Sequence, residues 1–325
     1  MGLDIGTSHI VAARGPAQDF EYDIQLNAFV NVPYSKMTEK ALTKERIPHS
    51  VEDGQIVIYG NESERFAELL DTEVRRPMRR GLLNADEPDN LKIIRQVAAA
   101  MAGRAASPGQ PLCFTVPAAL PGAEENLTYH EATLRQLLAE QGYAVKSINE
   151  GLAVVYAEME DSNYTGIGVS CGAGLCNVCL AYLSVPVMSF AVPKAGDFID
   201  ASAASITGER ANRIRLFKEE SFYLNGQCSE RIPQVLTVYY DDVIGSLVAA
   251  LNNAFRGART LPKISRPVPL VLSGGTAMPK GFCGRFEQAL RASDFPLTVS
   301  EVRLASGPLT ATARGALIAA LTDVA

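Results

Sequence analysis

The chain has no tryptophan, and aromatic residues make up only 7% of its 325 positions. A surface that stacks sugars or bases is therefore poorly supplied, although Tyr and Phe remain available. Positive charge is not in excess either: 30 Lys and Arg stand against 36 Asp and Glu, for a formal net charge of −6. That balance is not built to coat nucleic acid or an anionic membrane surface. Histidine is scarce. His9, His49 and His130 are scattered, so neither a catalytic triad nor a histidine metal site follows. No basic leader precedes the apolar run that begins at Met1. Six cysteines without such a leader fit free thiols in a reducing compartment, so a cytoplasmic location is expected.

What is present is ordinary globular composition, 47% hydrophobic and 20% charged, in a length that suits about two domains. The stretch from Ser162 to Pro193 carries no charge and is long enough to span a bilayer. Gly166, Gly168, Gly172, Gly174, Asn177, Pro186 and Pro193 interrupt any helix there, while the Val, Ile, Tyr and Cys between them favour strands. The stretch reads as a buried meander of three strands, not a membrane span.

The N-terminus reads as strand, glycine turn, strand, with Gly6-Thr7-Ser8 between Gly2–Ile5 and His9–Ala13. One further strand is expected within Asp23 to Val30. The uncharged stretch repeats this plan: Ile167–Ser170, then Cys171-Gly172-Ala173-Gly174, then Leu175–Leu183, with a third strand over Val187–Val192. The spacing is too long for a solenoid and points to a duplicated α/β lobe. Residues 31–80 are polar and mixed, with weak periodicity. Helices are expected over Asp89–Ala102, Glu124–Gln141, Glu150–Glu158, Phe198–Ile206, Glu209–Glu220 and Arg231–Phe255, from Pro279 onward, and over Leu309–Leu321. Strands are expected at Pro111–Val116, Tyr143–Ile148, Pro269–Leu272 and Thr298–Val302. The alternation makes the class α/β.

Three glycine turns follow strands: Gly6-Thr7-Ser8, Gly172-Ala173-Gly174 and Gly274-Gly275-Thr276. Glycine lets backbone approach a phosphate closely. A single such turn is most simply a tight hairpin. Two at equivalent points of a duplicated lobe point instead to a shared phosphate tail, with the third suited to the other end of the ligand. Asp4, at the end of the first strand, is either a turn cap or a carboxylate that holds Mg²⁺ through water. Glu150, at a helix start after a strand, is favourable there for dipole reasons alone and is also placed to orient a water. Cys176 and Cys179 make a C-x-x-C with no second pair, and their odd separation on a strand puts them on opposite faces, so zinc or redox use is not expected. Arg75, Arg76, Arg79 and Arg80 form a basic cluster, either a solvated face or a subunit contact.

On these residues the chain resembles the actin-like ATPase superfamily. The segments LDIGTSHIVAA, INEGLAVVYAE, GVSCGAGLCNVCLA, LVLSGGTAMPKGF and ATARGALIAAL stand in the family's order from Leu3 to Leu321, covering nearly the whole chain. RRPMRRGLLN, AGDFID and the length lean towards the bacterial filament branch that includes MamK and MreB. The resemblance implies two ribonuclease H-like lobes around a nucleotide cleft: lobe I over 1–148 with a variable subdomain at about 31–88, lobe II over 149–307, and a helix over 308–325 returning to lobe I. It implies ATP or ADP with Mg²⁺. Asp4 would anchor the water-bound ion and Glu150 would position the attacking water. Gly6, Thr7 and Ser8 would face the outer phosphates, opposed by Gly172, Ala173 and Gly174. Glu209, Arg210 and Arg213 would line the ribose and purine edge. Gly274, Gly275, Thr276, Met278 and Lys280 would close the pocket, with Gly196 and Asp197 between these regions.

The chain departs from the family where Ser170 takes the place of the usual Asp opening the second hairpin, Asn177 that of a later acidic or polar partner, and Ala173 that of an acidic position used in actin. Losing a preorganised group of this kind costs about 2.7–4 kcal/mol in the transition state, roughly 10²–10³ in rate. The expectation is a protein that binds nucleotide, hydrolyses it slowly or not at all, and joins head-to-tail into ATP-dependent filaments, with a cargo or adaptor as a further partner, no direct nucleic-acid partner and no transmembrane segment. A non-polymerising pseudo-ATPase adaptor is the alternative, followed by a small-molecule kinase.

Overall fold

Two five-stranded sheets with the same strand plan organise this computed structural model, which describes residues 1–16, 19–87, 89–120, 124–224, 230–258, 262, 264 and 266–322. The first sheet opens with β1 (Gly2–Ile5), β2 (His9–Arg14) and β3 (Glu21–Leu26). The chain then leaves through β4 (Phe29–Pro33), α1 (Lys36–Lys44), β5 (His49–Glu52), β6 (Gln55–Tyr59), α2 (Asn61–Leu69) and a short ribbon of β7 (Met78–Arg79) and β8 (Leu82–Leu83). It returns through α3 (Asn90–Ala102) to β9 (Gln110–Val116), α4 (Glu124–Ala139) and β10 (Tyr143–Asn149). The strand order is β3-β2-β1-β9-β10, antiparallel through the hairpins and parallel across β1, β9 and β10.

After α5 (Glu150–Glu158) the plan repeats. A meander of β11 (Gly166–Cys171), β12 (Cys176–Tyr182) and β13 (Val185–Val192) leads to α6 (Gly196–Thr207), α7 (Ala211–Glu220), α8 (Arg231–Gly257), β14 (Val268–Ser273), α9 (Phe282–Ala292), β15 (Val299–Leu304) and α10 (Ala311–Thr322). The order is β13-β12-β11-β14-β15, with the same directions as in the first sheet. Every residue of β11 is buried, as a strand covered on both faces requires. The uncharged stretch is therefore sheet, and among the described residues no helix is long and apolar enough to cross a membrane.

The two halves exchange helices. α5 leaves the first sheet and packs on β11 and β12, α10 leaves the second and packs on β1 and β9, and the two helices pack on each other. A Cβ on Gly315 would lie 1.8 Å from the Ala153 carbonyl oxygen, so only glycine permits this crossing. Ala153, Val154, Val271 and Ala316 form a core around it, separate from the cores of the two sheets.

Several expectations are corrected. Asp23–Val30 holds parts of two strands in different sheets, parted at Asn27, whose buried side-chain amide donates to the Gly6 carbonyl at 2.8 Å. The mixed segment after it folds as the three-stranded sheet β4-β6-β5 with its own core of Val30, Val32, Leu42, Ile47, Ile56, Ile58 and Ala67. Gly275–Ala277 forms a single 3₁₀ turn, and the following helix begins only at Phe282. Cys176 and Cys179 face different cores, as the strand period requires, and Cys171, Cys176, Cys179 and Cys283 are free thiols. Cys228 lies outside the described residues.

Candidate functional site: a cleft between twin hairpins

The turns β1–β2 and β11–β12 occupy equivalent places in the twin sheets, and the fold brings them face to face. A Cβ on Gly174 would lie 2.5 Å from Thr7 Oγ1, so the hairpins touch. Thr7 Oγ1 also accepts the Gly81 N–H at 2.9 Å, fixing the first hairpin to the loop between β7 and β8. The second is held from behind: the Gly172 carbonyl accepts from Thr276 Oγ1 at 2.7 Å and from the Gly196 N–H at 3.2 Å, and the Ala173 carbonyl from the Asp197 N–H at 2.8 Å.

Behind the contact lies a cavity of about 560 Å³. Asp4, Gly6, Thr7, Ser8, Glu150, Gly172, Ala173, Gly174, Gly196, Gly274, Gly275, Thr276, Met278 and Lys280 all line it. The other four residues singled out from the sequence do not. Asp197 pairs with Arg76 at 2.6 Å, Arg210 with Asp71 at 2.7 Å, and Arg213 with Glu209 at 3.2 Å. Glu209, Arg210 and Arg213, expected at the ribose edge, lie off the cavity, whose wall next to them is Arg215, Lys218 and Glu219 on α7, followed by Glu220, Ser221, Phe222 and Tyr223. Arg215, Lys218 and Glu219 stand three and four residues apart on one face of α7, a face that does not include Arg213.

At the floor sit two carboxyl groups. Asp4 accepts hydroxyl hydrogen bonds from Thr115 on β9 and Thr312 on α10. Burial pushes its carboxyl above the usual range, and those two bonds oppose the rise. Glu150 begins α5, capped by Asn149, whose side-chain oxygen accepts the Leu152 N–H. One oxygen of Glu150 accepts from Ser170 Oγ at 3.0 Å and from Asn177 Nδ2 at 2.9 Å. Ser170 and Asn177 are direct cross-strand partners on β11 and β12, and Asn177 accepts the Ala118 N–H at 2.9 Å through its other amide atom. The two positions that lack a carboxylate thus grip one. Burial, reinforced by the Asp4 charge, pushes Glu150 up to about 8, with Ser170 and Asn177 opposing.

Sequence reasoning missed further lining groups. Lys218 donates to both oxygens of Asp200 at 2.7 and 2.8 Å, and both residues are buried. Burial raises Asp200 to about 6 despite Lys218. His9 lines the floor, where burial depresses its pKa; Glu219 opposes this, while Arg215 and Arg76 add to it. Ser8 Oγ is buried with no partner. Three of the four arginines of the basic cluster pair within the chain: Arg75 with Glu87 and Asp89, Arg76 with Asp197, Arg79 with Asp86.

Known proteins share this architecture. The family described as Volactin matches residues 1–320, and no curated protein matches the sequence. Among solved structures, the MamK double helical filament superposes with a TM-score of 0.72 at 18% identity, covering 98% of each chain. MreB 5 of Spiroplasma citri bound to AMPPNP gives 0.65 at 14% identity, covering 99% of this chain and 96% of that one. The ethanolamine utilization protein EutJ from Carboxydothermus hydrogenoformans gives 0.55 at 15%, covering 98% and 88%. At such identities the likeness shows the fold, which is the actin-like ATPase fold of duplicated α/β lobes expected from the motifs.

Proposed function

The chain belongs to the Volactin family, and from that premise and the geometry of the cleft we propose that it is an actin-like protein that binds a purine nucleotide, ATP or ADP, between its lobes and assembles head-to-tail into filaments. The observation that carries this is the meeting of two equivalent glycine hairpins over one cavity large enough for such a ligand. Ser8 Oγ, buried without a partner beside the first hairpin, fits a phosphate oxygen as its acceptor. Thr7, Ser8 and the Gly172–Gly174 turn take the phosphates. Lys218, Glu219, Met278 and Lys280 take the ribose and base. The AMPPNP bound to MreB 5 and the filament formed by MamK are properties of those proteins that agree with this reading.

A divalent ion also fits. Among the described residues no cluster of three acidic, His or Cys side chains could grip a metal directly. Asp4, lining the cavity beside the first hairpin, would hold Mg²⁺ through the water that this ion keeps. When bound, the ion offsets charge on the outer phosphates. Glu150 is the residue that orients the attacking water, through hydrogen bonding set by Ser170 and Asn177. Burial raises its carboxyl, so less of it is ionised at neutral pH than of an ordinary glutamate, and this supports slow hydrolysis.

Sedimentation of the full chain with ATP and Mg²⁺, against the same chain without nucleotide, tests assembly. Nucleotide-dependent pelleting supports the filament. Binding without pelleting favours the second reading, a non-polymerising pseudo-ATPase, for which Ser170 in place of a carboxylate is the specific observation.

A further inference from the structure

Three ion pairs tie α2 and the loop after it to α6 and α7 on the opposite side of the cleft. Glu64 on α2 meets Arg215 on α7; Asp71, just past α2, meets Arg210 at the start of α7 at 2.7 Å; and Arg76 meets Asp197 in the first turn of α6 at 2.6 Å. The signs are mixed, with acid, acid and base on one side facing base, base and acid on the other, so a shifted register would set like charges together. Arg215 is buried and also holds Glu219 at 3.0 Å. Both Arg215 and Glu219 line the cavity, and Arg76 and Arg215 act together on His9 at its floor. One helix, α7, is therefore both a wall of the site and the anchor of two cross-cleft ties.

We propose that these pairs form an electrostatic strap that holds the cleft shut and sets the rate at which its ligand leaves. The proposal rests on the cleft being the nucleotide site. The hairpins touch on their own, but the α2 subdomain has a separate core and leans on the second half through charges. Exit by lobe opening must break all three pairs while leaving both lobes folded. Pairs at exposed positions are screened by salt, so exchange is ionic-strength dependent.

The test is release of a fluorescent ADP analogue from the full-length protein, chased with excess ADP at low and high NaCl. Wild-type release accelerates with salt. Asp71→Asn, at an exposed position, releases about 1.5- to 5-fold faster, and Glu64→Gln, which loosens the buried Arg215, about 10-fold or more. The double swap Asp71→Arg with Arg210→Asp returns the rate to near wild type, which a merely structural role does not require. Wild-type rates in Asp71→Asn and Glu64→Gln overturn the strap. If the analogue does not bind wild type, the nucleotide reading is what fails. The strap is then judged by small-angle scattering of the ligand-free chains: a larger radius of gyration in both variants supports it, and an unchanged one overturns it.

Discussion

Replacing Glu150 with Gln removes an ionisable group from the floor of the cleft while keeping an oxygen for Ser170 and Asn177 to bond. In the folded chain the carboxyl titrates at about 8, against 4.5 for its ordinary value. Between those pH values the native state holds a proton that the unfolded chain has released, so wild-type stability falls as pH rises through this window. The shift corresponds to a ceiling of roughly 5 kcal/mol above pH 8, a large part of the ~5–15 kcal/mol that holds an ordinary protein folded. Urea denaturation of both proteins at pH 5, 7 and 9 reads the effect. The two should be nearly equal at pH 5, with Glu150→Gln the more stable by several kcal/mol at pH 9. Groups other than Asp4, whose charge acts on Glu150, titrate alike in both chains and cancel in the difference. A difference that does not change with pH, or a variant less stable at pH 9, would refute the claim that Glu150 is held neutral by burial.

Ser8→Ala should weaken nucleotide binding about tenfold or more while moving stability by less than about 0.5 kcal/mol, because Ser8 Oγ has no partner in the protein to lose; titration calorimetry and melting together check it. Ser170→Asp, restoring a carboxylate at the second hairpin, should speed phosphate release about 10²-fold at saturating ATP; an unchanged rate would mean that Ser170 is not what limits hydrolysis. Lys218→Met leaves Asp200 buried without its cation and should cost about 3–5 kcal/mol in a denaturant titration, whereas Lys218→Arg should recover part of that loss.

Much of the architecture was legible because it rests on local signals. Glycines bounded by β-branched and small residues gave both hairpins, and their repetition gave the duplication seen in the two sheet orders. Asp4 and Glu150 were legible because each ends or follows a strand. The resemblance implied a subdomain at about 31–88, but its strands β4–β6 were not legible, since they are short and only part of each faces its small core. Arg215, Lys218 and Glu219 escaped for another reason: charges on a helix read as a solvated face until the tertiary fold turns that face inward. Their partners Glu64 and Asp200 lie on other elements, and no spacing rule links them. Thr115 and Thr312, which hold Asp4, are ordinary hydroxyls whose role exists only where β9 and α10 converge.

The central claim is that one purine nucleotide sits where the two hairpins meet. Isothermal titration of the full chain with ATP and Mg²⁺ tests it most directly. A single site per chain, weakened in Ser8→Ala, is the predicted result; a flat titration with both ATP and ADP would contradict it.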